Sequence, residues 1–442
     1  MIPRYWWRWS AEHGAPRAIL RWRLRRGDPF AALLSGTRGL HDPYPLIDEL
    51  RGSGGVHRTS LSWVTFDHAQ VRAILRDNRF GVRPAITQDI PAPWRKLADR
   101  AGVPPNPVEP PSMLVIDPPE HTRMRKPVAS AFTPRAIARL RDRVEVVTAE
   151  LLDAMPAHGS VDLITDYAAR VPIAIIAEML GFPDADRELF LRWGDRVTPL
   201  LDIGTSWRTY RAALAAIESM DDYLDAHITK LREEPGEDIL SALVASGELD
   251  LPELQASASL LMGAGFETTV NLIGNAIAAL SAHPDQLALA QDDPDLWPAV
   301  VEETMRFDAP VQTTARQTLE DVEIDGVRIS ADSTIILSLA GANRDPAVFA
   351  DPHRFDITRH NAKDHVGFSS GIHACLGASL ARMEAVHALR ALYTRYPNLR
   401  LRGAPTRRNL FTLHGFEHMP VDLGPVARTD APDDLAGATR RG

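Results

Sequence analysis

One cysteine, Cys375, occurs in 442 residues, inside the run Phe368 to Arg382, F-S-S-G-I-H-A-C-L-G-A-S-L-A-R. A lone thiol forms no internal disulfide and is no half of a C-x-x-C pair. Gly371 and Gly377 bracket it, and glycine admits turns and close approaches that other residues forbid. Leu376 to Leu392 carries apolar residues at helical spacing. The pattern predicts a tight loop feeding a helix N-terminus, where backbone N–H groups and the helix dipole favour a thiolate. The alternative is an inert buried thiol, the common fate of a lone cysteine.

A second group lies inside the long apolar pattern Leu251 to His283, where M-G-A-G-F-E-T-T runs from Met262 to Thr269. Each mid-helix glycine weakens a helix by about 1 kcal/mol, and a buried carboxylate needs partners. Local violations of this kind mark function. A close helix contact would explain Gly263 and Gly265 but not Glu267. His121 and Arg125 lie four apart in a helix opened by Pro118-Pro119-Glu120, so they share one face. Two donors on one face suit a carboxylate, although such spacing also describes a solvated basic face. Glu303 and Arg306, three apart, can pair on a helix.

Taken together these stretches resemble the cytochrome P-450 superfamily. F-x-x-G-x-H-x-C-x-G followed by L-A-R is similar to its haem-binding loop, with Ser369 where many members have glycine. A thiolate is an axial haem ligand that favours O–O cleavage. The resemblance implies Cys375 as the iron ligand, within a loop that includes Phe368, Gly371, His373 and Gly377. D-P-P-E-H-T-R-M-R is similar to the helix that meets a haem propionate through His121 and Arg125; Arg316 and His373 are implied at the propionates too. A-G-F-E-T-T resembles the oxygen-binding segment, with Gly265 permitting close approach and Glu267 and Thr268 as the acid–alcohol pair for proton delivery. E-E-T-M-R matches the family's E-x-x-R. A structural network of Glu303, Arg306 and a second arginine, mapped to Arg354 in D-P-H-R-F-D, would pin the stretch before the loop. The resemblance covers roughly residues 40–424.

The elements must position these groups. Helices are expected over His68 to Asp77, Pro134 to Met155, Ile164 to Leu180 and, in two pieces around Gly204-Thr205, over 184–235. In the family this last region lids the pocket, so the resemblance implies Phe190, Trp193, Leu200, Leu201 and Tyr210 as substrate contacts, with ordinary helix packing the equal alternative for each. Val56 to Phe66 reads as a hairpin, Ala315 to Leu339 as strand-rich, and Leu413 to Val421 as a last hairpin. The proline-rich residues 81–112 read as a pocket wall. Residues 1–26 hold seven arginines, four tryptophans and one acid. They fit a helix on an anionic membrane surface or, as the favoured reading, a lead-in helix packed on the domain.

Composition bounds the function. Net charge is −9, which argues against nonspecific nucleic-acid binding. One cysteine points to a reducing compartment, and no apolar run is long enough to span a bilayer. The expected fold is mainly α, a P-450 fold with a small β-rich subdomain and the haem between the long central helix and the cysteine loop. Residues 1–30 form a basic, Trp-rich lead-in, 31–424 a single haem-thiolate domain, and 425–442 a disordered tail. The resemblance implies a cytoplasmic monooxygenase using haem b (iron protoporphyrin IX), dioxygen and a lipophilic small-molecule substrate. No G-x-G-x-x-G follows a strand, so a ferredoxin and ferredoxin reductase would deliver NAD(P)H-derived electrons. Arg123, Lys126 and Arg382 would make a basic patch for that ferredoxin. A peroxide-driven hydroxylase and a non-catalytic haem sensor are the rival readings.

Overall fold

The computed structural model describes residues 2–35, 42–52, 54–59, 62–82 and 108–426. Most of the proline-rich pocket wall and all but two residues of the expected tail lie outside them. The chain opens with α1 (Ile2–Trp9), a π turn (Ser10–Gly14) and α2 (Ala15–Arg25), then α3 (Pro29–Leu34) and α4 (Tyr44–Arg51). β1 (His57–Arg58) and β2 (Trp63–Thr65) form the expected hairpin, followed by α5 (His68–Arg76) and β3 (Phe80–Gly81). Next come α6 (Glu120–Ala129), α7 (Pro134–Ala154), β4 (Ser160–Asp162) and α8 (Arg170–Met179). The long pattern at 164–180 is not one helix. It begins as a π turn, Ile164–Ala168, in which Ala169 N–H reaches back to Ile164 O at 2.9 Å.

α9 (Arg187–Val197), α10 (Trp207–Glu233) and α11 (Ile239–Ser246) precede the central helix, α12 (Leu251–Ala282). A reciprocal cap starts α12. The Asp250 side chain accepts from Glu253 N–H at 2.9 Å, and Glu253 accepts from Asp250 N–H at 3.1 Å. Most of its side chains are buried, as a helix through a core requires. It packs against α8, α10, α14 (Trp297–Phe307) and α16 (Ala378–Arg395). α13 (Pro284–Asp292) links α12 to α14, and α15 (Leu339–Asn343) follows the strands.

Strands β5 (Thr313–Thr318), β6 (Val322–Ile324), β7 (Val327–Ile329) and β8 (Thr334–Ser338) fill the strand-rich stretch. One sheet has the order β1-β2-β8-β5-β3, with β2 and β8 parallel. The last strands are β9 (Arg400–Leu401), β10 (Thr406–Arg407), β11 (Phe416–His418) and β12 (Pro420–Asp422). Leu413 to Val421 is not the expected hairpin. β11 pairs with β10, whereas β12 pairs with β4 and β9. Gly415 instead lies hard against α12, where a Cβ would fall 2.0 Å from Asn271 Oδ1.

Candidate active site

The cysteine loop is fixed by its own backbone. Cys375 N–H donates to Phe368 O at 2.9 Å, and Ser369 N–H to Val366 O at 2.8 Å. Ser369 has φ +62, so a serine holds the left-handed conformation that glycine adopts freely. Gly371, at φ +73, has no room for a side chain, since a Cβ would lie 2.2 Å from Leu75 O. Cys375 is accessible although protein encloses most of its surroundings. That enclosure opposes the expected thiolate bias. Burial pushes the thiol up, and the Gly377 N–H, Arg125 and Arg382 only partly offset it. A bound metal ion deprotonates such a thiol outright.

Four donors gather beside this loop. The rings of His121 and His373 lie 4.2 Å apart, centroid to centroid. Burial, then the field of His121, Arg316 and Arg125, lowers His373 to about 3. Burial, then Arg125, lowers His121 as well. Burial brings buried Arg316 down to about 10. Arg125 donates to Ala374 O at 2.5 Å. Neither ring nitrogen of His121 has a hydrogen-bond partner, nor has Nε2 of His373. Buried orphan donors are expensive, and Asp117 is the acid whose field reaches both His121 and Arg316. An arrangement short of negative charge, with unpaired donors, fits the two propionates of haem b.

On α12 the residues divide between two faces. Ala264 is exposed and Thr268 half-buried on a helix whose Met262, Phe266 and Glu267 are buried. That accessible turn marks an opening in the packing. Thr268 Oγ1 donates to Ala264 O at 3.0 Å. Gly265 does not face the opening: a Cβ there would meet Ile176 of α8 at 2.9 Å. Gly265 thus serves helix packing rather than the expected close approach, and the open side of the turn is that of Gly263 and Ala264. Glu267, 3% exposed, lies 3.1 Å from Nη1 of Arg408. Arg408 aims that hydrogen at Asp195 Oδ1, 2.9 Å away, which leaves Glu267 Oε1 an unfilled acceptor. Burial raises the Glu267 carboxyl, Arg408 lowers it, and Asp195 adds to the rise.

The E-x-x-R pair is wholly buried. Arg306 donates to both oxygens of Glu303 at 2.7 Å. The second arginine is not Arg354, whose side chain is 62% exposed beside Asp356. Arg354 contributes only its backbone carbonyl, accepting from Arg306 at 3.0 Å. Arg359 takes the role, 3.4 Å from Glu303 and 7% exposed. The turn after Asp356 carries its side chain back to the carboxylate, whereas that of Arg354 points outward. Phe368 is covered by the Arg382 guanidinium, 4.4 Å from the ring, and Arg382 pairs with Glu302. Burial alone would raise Glu302, but His365 and Arg382 hold it down to about 2. Arg123 is likewise bound, to Glu253. Two of the three residues expected to greet a ferredoxin are thus already paired, and Lys126 is exposed.

The lid aromatics serve packing. Phe190 and Trp193 of α9 are buried against Tyr223 of α10 at 5.5 Å each, and Tyr210 is buried against His13. Leu200 and Leu201 are half-buried. Arg408, Asp195 and Arg359 carry no local motif. The only sequence signal for Arg408 is that a buried Glu267 requires a cation.

A family model described as cytochrome P450 matches residues 189–397. A putative cytochrome P450 140 of Mycobacterium tuberculosis is 43% identical over 433 residues, 96% of this chain and 99% of the relative. The 6-deoxyerythronolide B hydroxylase of Saccharopolyspora erythraea is 43% identical over 321 residues, 71% of this chain and 78% of the relative. The ligand-free crystal structure of Mycobacterium smegmatis CYP164A2 superposes with a TM-score of 0.80 at 35% identity, covering 89% of this chain and 99% of that one. With the cysteine loop, the donor cluster and the opened turn of α12 in one fold, these likenesses make the chain a member of the cytochrome P450 superfamily, a haem b monooxygenase.

Proposed function

We propose that this monooxygenase inserts one oxygen atom from dioxygen into a bulky lipophilic molecule, by hydroxylation or epoxidation. Its electrons come from a separate ferredoxin and NAD(P)H-dependent reductase, and it works in the cytoplasm. The observation that carries the reading is the Glu267–Thr268 pair, set at the accessible turn of a buried helix. Bound through Cys375, haem supplies dioxygen binding and activation. His121, Arg125, Arg316 and His373 would hold its propionates.

The side chains supply proton delivery. The Thr268 hydroxyl spends its proton on Ala264 O, so its lone pairs are left to accept from a water at the opening. Glu267 adjoins it, held by charge but with Oε1 unfilled. The Asp195 side chain is 60% exposed. Asp195 and Arg408 hold the buried Glu267 carboxylate by charge at a route toward solvent. That carboxylate, not the guanidinium, would take up a proton and return it through water to the one held at Thr268. A peroxide-driven enzyme has no use for this route, because peroxide brings its own protons.

Two relatives are named for hydroxylating 6-deoxyerythronolide B and vitamin D(3), and both names support a large substrate. The test is a screen of lipophilic compounds for a low- to high-spin shift of the haem spectrum. Hits are then turned over with ferredoxin, reductase and dioxygen, and separately with peroxide. Oxygenated product formed at the expense of reductant supports the reading. Product from peroxide alone makes the enzyme a peroxygenase, and binding without any product makes it a sensor.

A further inference from the structure

The outer side of the N-terminal helix is unusual for this acidic chain. Backbone angles remain helical through the π turn, at Trp9 (φ −55, ψ −42) and Ala15 (φ −66, ψ −48), so residues 2–25 form one rod. Its inner side is tied down. Trp9 Nε1 donates to Thr205 O at 2.9 Å, Arg17 to Gly204 O at 2.7 Å, and Leu20 and His13 are buried. The outer side exposes Trp6, Trp7, Ile19 and Trp22 at 37–46%. Ile203, next to Gly204, is exposed at 39%. Among the described residues these five are half of the ten large hydrophobics left exposed.

Trp7 and Trp22 are fifteen residues apart, about four turns, which places them on one side of the rod about 22 Å from each other. Arg21, Arg25 and Arg26 are exposed among them, and Arg26 lies 3.9 Å over the Trp22 ring. The only acid from residue 5 to 27, Glu12, is buried and paired with Arg8 at 2.9 Å. The outer side of the helix is therefore cationic and apolar, mostly aromatic, with no exposed acid of its own. Indole rings with a wet edge favour the headgroup layer of a bilayer, and arginines beside an anionic bilayer are attracted to it. Exposed apolar patches of this kind mark interaction sites. No helix among the described residues is long and apolar enough to cross a membrane.

We propose that the outer side of residues 5–26 docks on an anionic lipid surface, with the chain lying on the bilayer. The 198–206 loop, hydrogen-bonded to the same helix, then sits beside the headgroups. This reading does not depend on the substrate or on turnover. The test is co-sedimentation of the full-length holoenzyme with vesicles of phosphatidylcholine alone and with phosphatidylglycerol added, at low and high salt. The expected results are binding to the anionic vesicles only, a blue shift of tryptophan emission, and at least tenfold weakening at high salt. Trp7→Ser/Trp22→Ser should lower binding at least tenfold, and Arg21→Glu/Arg25→Glu should abolish it, each with an unchanged haem spectrum. Binding that ignores lipid charge, absence of binding at low salt, or variants that bind like wild type would overturn the proposal. So would capture of an acidic ferredoxin by these same arginines while vesicles remain unbound.

Discussion

At the scale of single residues, the site sets two neighbours to different tasks. Thr268 faces the opening and Glu267 faces an ion pair. Thr268→Ala should keep haem content and substrate binding, because the side chain is small and packs no core. Product per electron should fall several-fold, with hydrogen peroxide rising to match. An unchanged yield would reduce Thr268 to helix packing. Arg408 makes a separate prediction. Its charge pulls the Glu267 carboxyl down against burial, so Arg408→Leu should let that carboxyl rise further. The limb of the pH–rate profile that reports Glu267 should move to higher pH, while the spin-state titration with substrate stays put. A profile that does not move would remove Glu267 from the proton route.

Elements explain what was legible and what was not. α12 could be read to within a residue because its end signals are local: Pro252 in the first turn and His283-Pro284 at the end, whereas the Asp250–Glu253 cap emerged only with the structure. The Cys375 loop was legible for the same reason. Partners distant in sequence were not. Arg359 and Arg408 are ordinary arginines until the fold carries them to Glu303 and Glu267. β11 and β12 alternate as a hairpin would, yet pair with strands that no local pattern names. The π turn at Ile164–Ala168 keeps helical composition and changes only the hydrogen-bond reach. The arginine network gives a graded prediction. Arg306→Ala leaves a fully buried carboxylate without its bidentate partner, so it should cost more than about 3 kcal/mol. Arg359→Ala should cost less, since its contact with Glu303 is longer and single and its other bonds go to the Ala350, Asp351 and Arg354 carbonyls near the surface. Arg354→Ala should lie within about 0.5 kcal/mol of wild type, as exposed positions do. Denaturant unfolding of the three variants orders them, and a large loss at Arg354 would contradict the geometry.

At the scale of the whole molecule, stability depends on buried groups that titrate in opposite senses. His13 is buried by the N-terminal helix and is lowered to about 4, by burial and then by Arg8. Its folded value lies below the unfolded one, so its contribution is present above about pH 6.5 and is lost as pH falls toward 4. Asp308 acts in the same direction at lower pH. Burial alone would raise it, but Arg407 and His414 hold it far below the usual carboxylate range. Glu384 acts oppositely. It lies inside α16, 1% exposed, and Oε2 has no hydrogen-bond partner. Burial pushes its carboxyl up to about 8, so the folded protein keeps a proton there that the unfolded chain releases near pH 4.5. Between those values the folded state binds more protons, and stability must fall as pH rises. Glu384→Gln preserves the shape and removes the titration. Variant and wild type should have similar unfolding free energies at pH 5. The variant should then gain steadily, reaching on the order of 3 kcal/mol by pH 8.5. Unfolding in denaturant at a series of pH values measures the gap. A gap that stays flat across the range would mean that Glu384 is already ionised at neutral pH and has found a cation or water to hold it.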